Sequence, residues 1–388
     1  MTSKAPSVCI VTNYATTTNF GALLQAYALN RVVNALGYPA ETLFVTGSYG
    51  SKRNKLLRQL RAGQFTEVKN ETLSHLRRLR VRGQLEARKQ AMEAFRNSIP
   101  HTKKYNKEDL DDLQNHYDVF LCGSDQIFRP DKNTGEPEPY YFLDMVKNGR
   151  VKASYAASMG IAAYTPETEE KVAGLLASFD FVSMREKSAA DYIAKITGRN
   201  DVVSSVDPVF LLGRDEWESL ITPYDADGKY ILVYMIHGTE KLYRSIRAFA
   251  QKTGLKILSF PSMSYRYKPY EKGFADREIL DADPPRFLDL IRRSAYFFTD
   301  SFHGTALSLI LHKEAFVSRA NGIAFSRIAG ILELFGLASL VIPEDGQEPE
   351  FYTKERSVDW ESVEKKIQEQ RMASEQYLLN VMKEGRRV

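Results

Sequence analysis

Residues 295–313, AYFFTDSFHGTALSLILHK, bring a carboxylate, a hydroxyl and an imidazole to one point of the chain. An apolar run ends at Thr299-Asp300-Ser301. His303 and Gly304 follow, and an apolar segment of helical spacing then begins. Asp300 or Ser301 can cap such a helix. Its first turn offers free backbone N–H groups and the positive end of a dipole, which suit an anion. His303 falls in that turn and can donate or accept a proton near neutral pH. This edge can therefore hold a phosphate and move a proton beside it. It is also compatible with an ordinary capped turn. Arg185, in FVSMREKSAADYI, stands between an apolar strand and a helix. Its fork matches carboxylate or phosphate, and a local glutamate could equally occupy it. Together the two segments point to a small, highly anionic substrate. Ser301 and His303, two apart on one turn, do not make a nucleophile–base pair, and no G-x-S-x-G elbow is present, which argues against a hydrolase. No paired His, Asp or Glu residues stand at ligand spacing, so no metal site is expected.

Such residues must be held by something, and the chain alternates strand and helix signals in two blocks. SVCIVTNY reads as a strand and FGALLQAYALNRVVNALG as the following helix, stopped at Gly37. ETLFV, YDVFLCG, VKASYAAS, FDFVSMRE and DVVSSVD read as further strands of the first block. Polar turn residues between Pro223 and Gly228 mark a boundary. The second block has KYILVYMI, LKILSF, AYFFTD and AFVSR. Short buried strands alternating with helices predict an α/β chain of two Rossmann-like domains facing across a cleft. The expected boundaries are 1–212, a linker at 213–228, 229–345, and a helical tail at 346–388, with a basic helical insert at 51–106 in the first domain. In open α/β sheets ligands bind outside the carboxyl ends of the strands. That selects Asn19, Ser124, Asp125 and Gln126 in the first block, and His237, Asp300 to Gly304 and Arg319 in the second. Asn19, Ser124, Asp125, Gln126 and His237 offer the mixed donors and acceptors a sugar needs, and Asp125 could act as a base.

The bulk properties fit. With 388 residues and 43% hydrophobic content, the chain can bury a large core. Cys9 and Cys122 lie far apart in apolar runs and read as buried, reduced thiols. No apolar run reaches the ~18 residues a bilayer span needs, and the N-terminus lacks a signal-peptide core, so the expected location is cytoplasmic. The net charge of +4 conceals a segment, 51–89, that carries +9. Its basic amphipathic pattern suits an anionic membrane surface or a pyrophosphate-bearing acceptor. Nucleic acid is not expected, because aromatic interleaving is missing.

The runs NYATTTNFGALLQAYAL, GSDQIF, YAASMG, SMREKSA, DPVFLL and DSFHGTALSLI, in this order, resemble the polysaccharide pyruvyl transferase family, as does FSRIAGILELFGL after the histidine. The resemblance spans roughly residues 8–340. It implies two Rossmann-like domains in a glycosyltransferase-B-like (GT-B-like) arrangement, and transfer of the enolpyruvyl part of phosphoenolpyruvate onto a sugar as a cyclic ketal, with phosphate released. It implies no cofactor beyond that co-substrate. By resemblance Arg185 holds the donor and His303 lies beside it. Ser301, Gly304 and Arg319 complete the expected donor contacts. The acceptor would be a sugar of a surface-polysaccharide precursor, lipid-linked, nucleotide-linked or polymeric. Some branches of the family carry Arg-Leu-His where this chain has Ser301-Phe302-His303, so a second arginine is missing there; Arg319 and Arg327 are the nearest substitutes in sequence. A nucleotide-sugar glycosyltransferase of the same architecture, or a non-catalytic sugar-binding relative, is the alternative.

Overall fold

In the first domain the apolar runs form parallel strands, and each is short because both its faces are covered. The computed structural model describes residues 5–46, 65–132, 134–147, 149–261, 268–319, 322–343, 349–353 and 357–385. Strands β1 (Val8–Val11), β2 (Ala40–Thr46), β3 (His101–Asn106), β4 (Val119–Cys122) and β5 (Val151–Ser154) make a parallel sheet of order β3-β2-β1-β4-β5. The pair β6 (Ser183–Met184) and β7 (Val203–Ser204) continues it through single bridges, Ala153 to Phe181 and Ala157 to Met184. The second domain repeats the pattern with β8 (Tyr230–Tyr234), β9 (Lys256–Phe260), β10 (Arg277–Glu278), β11 (Tyr296–Thr299) and β12 (Ala315–Val317), in the order β10-β9-β8-β11-β12.

In each sheet the strand order reverses at one place, between β1 and β4 and between β8 and β11. A crevice opens at such switch points, and ligands of this fold class bind there.

The helices are α1 (Phe20–Ala35), α2 (Phe65–Arg80), α3 (Arg82–Ser98), α4 (Pro166–Leu176), α5 (Lys187–Thr197), α6 (Arg214–Leu220), α7 (Glu240–Thr253), α8 (Pro284–Arg293), α9 (Phe302–Ile310), α10 (Gly322–Phe335) and α11 (Trp360–Gly385). Helix α1 ends as its sequence indicates, with Gly37 at φ +88° after the C-cap. Helix α11 returns from the second domain to the first. Arg371 donates to the carbonyls of Phe210 and Leu212, and Tyr377 donates to the carbonyl of Ser154.

Two readings change. The helical insert expected through residue 106 ends at Ser98, and 101–106 is the edge strand β3. Its HTKKYN sequence is polar because an edge strand turns only Thr102 and Tyr105 inward and leaves Lys103 and Lys104 exposed. The first part of the insert, 51–64, lies outside the described residues. The segment 213–228 is more than a linker. It holds α6, whose Trp217 is fully buried and donates from Nε1 to the carbonyl of Val209. Cys9 and Cys122 are both fully buried, and burial pushes both thiols well up. Among the described residues no helix is long and apolar enough to cross a membrane, and no group of three His, Cys, Asp or Glu side chains could hold a metal ion.

The domains share a core. Phe20, the first residue of α1, reaches into the second domain and stacks on Phe287 at 4.6 Å and 9°. It also meets Phe260 and Tyr234 edge-on. Arg88 of α3 covers the ring's outer face at 4.6 Å. Truncating a buried phenylalanine costs ~3–5 kcal/mol. Phe20→Ala should lower stability by about that amount in a denaturant titration, and an unchanged midpoint would show that the inter-domain stack carries no weight.

Candidate active site

The two switch points face one another, and a cavity of about 610 Å³ lies between them. The first domain contributes Asn19, Asp125, Gln126, Arg129 and Lys132. The second contributes Ile236, His237, Asp300 to His303 and Arg327. The capping chemistry follows the sequence. Ser301 Oγ accepts from the N–H of Gly304 at 3.2 Å and so starts α9, with a capping residue worth ~1 kcal/mol. Asp300 does not cap this helix. It accepts from the N–H groups of Ile236 and His237 at 2.6 and 2.7 Å, which ties the end of β8 to the end of β11. Burial raises its carboxyl above the ordinary range, although these two N–H groups and nearby His237 and Lys268 oppose the rise.

Helix α1 starts opposite α9. Asn19 Oδ1 accepts from the N–H groups of Gly21 and Ala22, so both helices aim their positive ends into the cavity. They meet at His303. A Cβ on Gly21 would lie 2.2 Å from that imidazole, so glycine is required there.

Behind His303 lies a charge cluster whose hub, Asp207, was not among the expected site residues. Asp207, at the start of DPVFLL, is 1% exposed. Its Oδ2 accepts from Arg185 Nη1 at 2.7 Å and from Ser124 Oγ at 3.2 Å, and stands 3.5 Å from His303 Nε2. Burial alone would raise this carboxyl. His303 and Arg185 overcome that and hold it well below the usual carboxylate range. Burial likewise works against the Arg185 charge, and Glu186, Asp207 and Asp125 together raise its value instead. The only sequence signal for Asp207 was its place in a family-like run; a buried aspartate after a short strand otherwise reads as a cap, which it also is, for the N–H of Val209.

The expected residues divide. Asn19, Asp125, Gln126, His237, Ser301 and His303 all line the cavity. Asp125 holds φ +69°, a left-handed conformation that aspartate tolerates and that often marks a functional turn, and its carboxylate accepts from Asn13 Nδ2 at 3.1 Å. Ser124 does not reach the cavity. It is fully buried, and its hydroxyl donates to the carbonyl of Ala156 and to Asp207. Gly304 spends its N–H on the cap, so it offers an anion nothing. Among the described residues the N–H groups of Phe302 and His303 have no acceptor within the chain. Arg185 is 8% exposed and sits behind Phe302, whose ring centroid is 4.1 Å from its guanidinium carbon. Arg319 is exposed and lies over the ring of Phe325, away from the cavity. Of the two substitutes named from the sequence, Arg327, on α10, is the one that lines the cavity.

Among the described residues, two buried guanidinium donors near this place have no acceptor, Arg185 Nη2 and Arg327 Nε, and His303 Nε2 has only the long approach of Asp207 at 3.5 Å. Burial, followed by repulsion from Arg185, lowers Arg327 to about 10. A buried donor without a partner costs ~1–3 kcal/mol. Two of them beside two helix N-termini are groups of the kind that pair with an anion.

A family model for polysaccharide pyruvyl transferase matches residues 19–319. The chain belongs to the polysaccharide pyruvyl transferase family. No curated protein matches it. Among solved structures it is similar to S. aureus MnaA in a UDP co-structure, with 13% identity over 89% of this chain and 86% of that one and a TM-score of 0.51. It is also similar to the UDP-GlcNAc 2-epimerase of Neisseria meningitidis bound to UDP-GlcNAc, with 13% identity, 89% and 88% coverage and a TM-score of 0.48. At 13% identity the likeness to MnaA concerns the fold, which is the GT-B-like pair of Rossmann-like domains. Within this pyruvyl transferase family member, Asp207 is the hub of the buried charges. Leaving Arg185 without its carboxylate should cost on the order of 3 kcal/mol. Because the native carboxyl is depressed, its contribution is complete above about pH 4 and is lost as the pH falls toward the native value. The stability gap between the wild type and Asp207→Asn should thus be wide at pH 7 and narrow below pH 4 in parallel melts. A gap independent of pH would remove the ion cluster as its cause.

Proposed function

We propose that this transferase takes the enolpyruvyl group of phosphoenolpyruvate and sets it as a ketal on a sugar of a polysaccharide precursor, releasing phosphate. The observation that carries the reading is the convergence of Arg327, His303 and the N-termini of α1 and α9 on one side of the cavity. The donor carries a phosphate and a carboxylate on a three-carbon frame, and this side supplies positive ends and a proton-transfer group at matching scale. Arg327 takes the part of the arginine that Ser301 replaces. Arg185, buried behind Phe302, acts through Asp207, which fixes the imidazole.

The chemistry needs a proton on the methylene carbon, which leaves a cation at the carbon bearing oxygen. One sugar hydroxyl attacks that carbon. A second hydroxyl displaces phosphate and closes the ketal; of the two hydroxyl protons released, one balances the proton placed on carbon and the other leaves with the phosphate. His303 serves the proton transfer on the donor side, and Asp125 across the cavity serves an acceptor hydroxyl. Positioned proton transfer contributes ~10²–10⁴-fold. The fixed dipoles and Arg327 stabilise the departing phosphate. Asn19, Gln126 and His237 offer the sugar its hydrogen bonds. The cavity is larger than the donor requires, which leaves room for the acceptor.

Calorimetry tests the reading. Phosphoenolpyruvate should bind, and Arg327→Ala should weaken it by at least tenfold while the protein stays folded. Arg327 suits this better than Arg185, whose removal would strand Asp207 and Glu186. Binding of UDP or a UDP-sugar with no response to phosphoenolpyruvate would replace this reading by a nucleotide-sugar glycosyltransferase. In the same preparation His303→Ala should bind donor but release phosphate at least a hundredfold more slowly, and near-normal release would take the histidine out of the proton transfer.

A further inference from the structure

The helices α2 and α3 have one buried seam and one bare face. Ser74, Arg88, Met92, Phe95 and Arg96 lie inward. Tyr14 and Arg96 lock that side, the tyrosine hydroxyl donating to the Arg96 carbonyl and Arg96 Nε to the Tyr14 carbonyl. On the opposite side Leu76 and Leu79, three apart on α2, are 50% and 53% exposed. The other strongly exposed large apolar side chains among the described residues are scattered singly over different elements. Arg80 and Arg82 are exposed beside the two leucines, and Arg78 is half-buried. Apolar side chains at helical spacing among arginines match an anionic bilayer, where the leucines enter the headgroup boundary and the arginines meet lipid phosphates. A protein partner would require acidic complementarity that nothing on this face specifies.

The face is also fixed relative to the cavity. Arg77 pairs with Glu278 at β10 and with Glu271 at 3.9 Å in the loop after β9. The same loop reaches the end of β8, where Tyr270 donates to the carbonyl of Gly238, next to His237 of the cavity. These contacts link α2 to the loop that reaches Gly238, next to the cavity wall.

We propose that the exposed Leu76–Leu79 and Arg80–Arg82 face seats the protein on an anionic bilayer. Resting on the transferase reading above, it follows that the acceptor is a lipid-anchored sugar presented at that surface. The full chain should float with vesicles of phosphatidylglycerol and phosphatidylcholine, and the bound fraction should fall as salt rises through the physiological range. Leu76→Glu/Leu79→Glu and, separately, Arg80→Glu/Arg82→Glu should each lower partitioning at least tenfold, with unchanged circular dichroism and unchanged phosphoenolpyruvate binding in solution. No flotation of the wild type, equal flotation with pure phosphatidylcholine, or flotation unaffected by both double variants would overturn the proposal. Failure of the wild type to bind phosphoenolpyruvate would count against the donor assignment and leave the membrane result standing.

Discussion

A carboxylate with almost no exposed surface has to be paired, and the pairing of Asp207 ties the two halves of this protein together. Its partners come from both domains, Arg185 from the end of β6 and His303 from the start of α9. An uncompensated charge at that depth would be strongly destabilising; Arg185 compensates it within the first domain, and His303 adds the contact that reaches across. The aromatic stack around Phe20 secures the same junction by apolar burial. The Gly21–His303 contact shows how closely it is fitted, since even a methyl group would not fit between the helix and the imidazole. Position and orientation of the imidazole thus depend on the whole inter-domain core.

This arrangement sets positive groups around the cavity. A GT-B-like pair of sheets sets its two switch points face to face, and the helix that follows the first strand of one domain starts opposite the helix that follows the fourth strand of the other. Positive helix ends and buried guanidinium groups then share one small volume, with Asp300 already satisfied by N–H groups of its own domain. Asp125 stands on the opposite wall in a left-handed turn, placed by the backbone and by Asn13.

Much of this was legible in the sequence. Strong apolar periodicity located β1, β4, β8, β11 and α1, and the strand-end rule pointed to Asp125, His237 and His303 because ligand sites in this architecture follow from topology. What failed to show were features that depend on tertiary context. The strand β3 is a polar, lysine-bearing edge with no apolar signal, and β10 has two residues. Ser124 follows a strand like its neighbours but turns inward to Asp207. Arg185 has the residue type of an anion ligand, yet only the fold puts Phe302 across it. Arg319 and Arg327 were equivalent by sequence distance. The start of α10 separates them, placing one over Phe325 and the other in the cavity. Asp207 became visible only when residues 22 and 96 positions away arrived at its oxygens.

The central claim is that Arg327 and the free N–H groups of Phe302 and His303 at the start of α9 share one anion. A crystal structure of the protein soaked with phosphoenolpyruvate tests it most directly. The account predicts the donor's phosphate or carboxylate within hydrogen-bonding distance of Arg327 and of the N–H groups of Phe302 and His303, with its methylene carbon beside the imidazole. Donor density elsewhere in the cavity, leaving those three groups unpartnered, would contradict it.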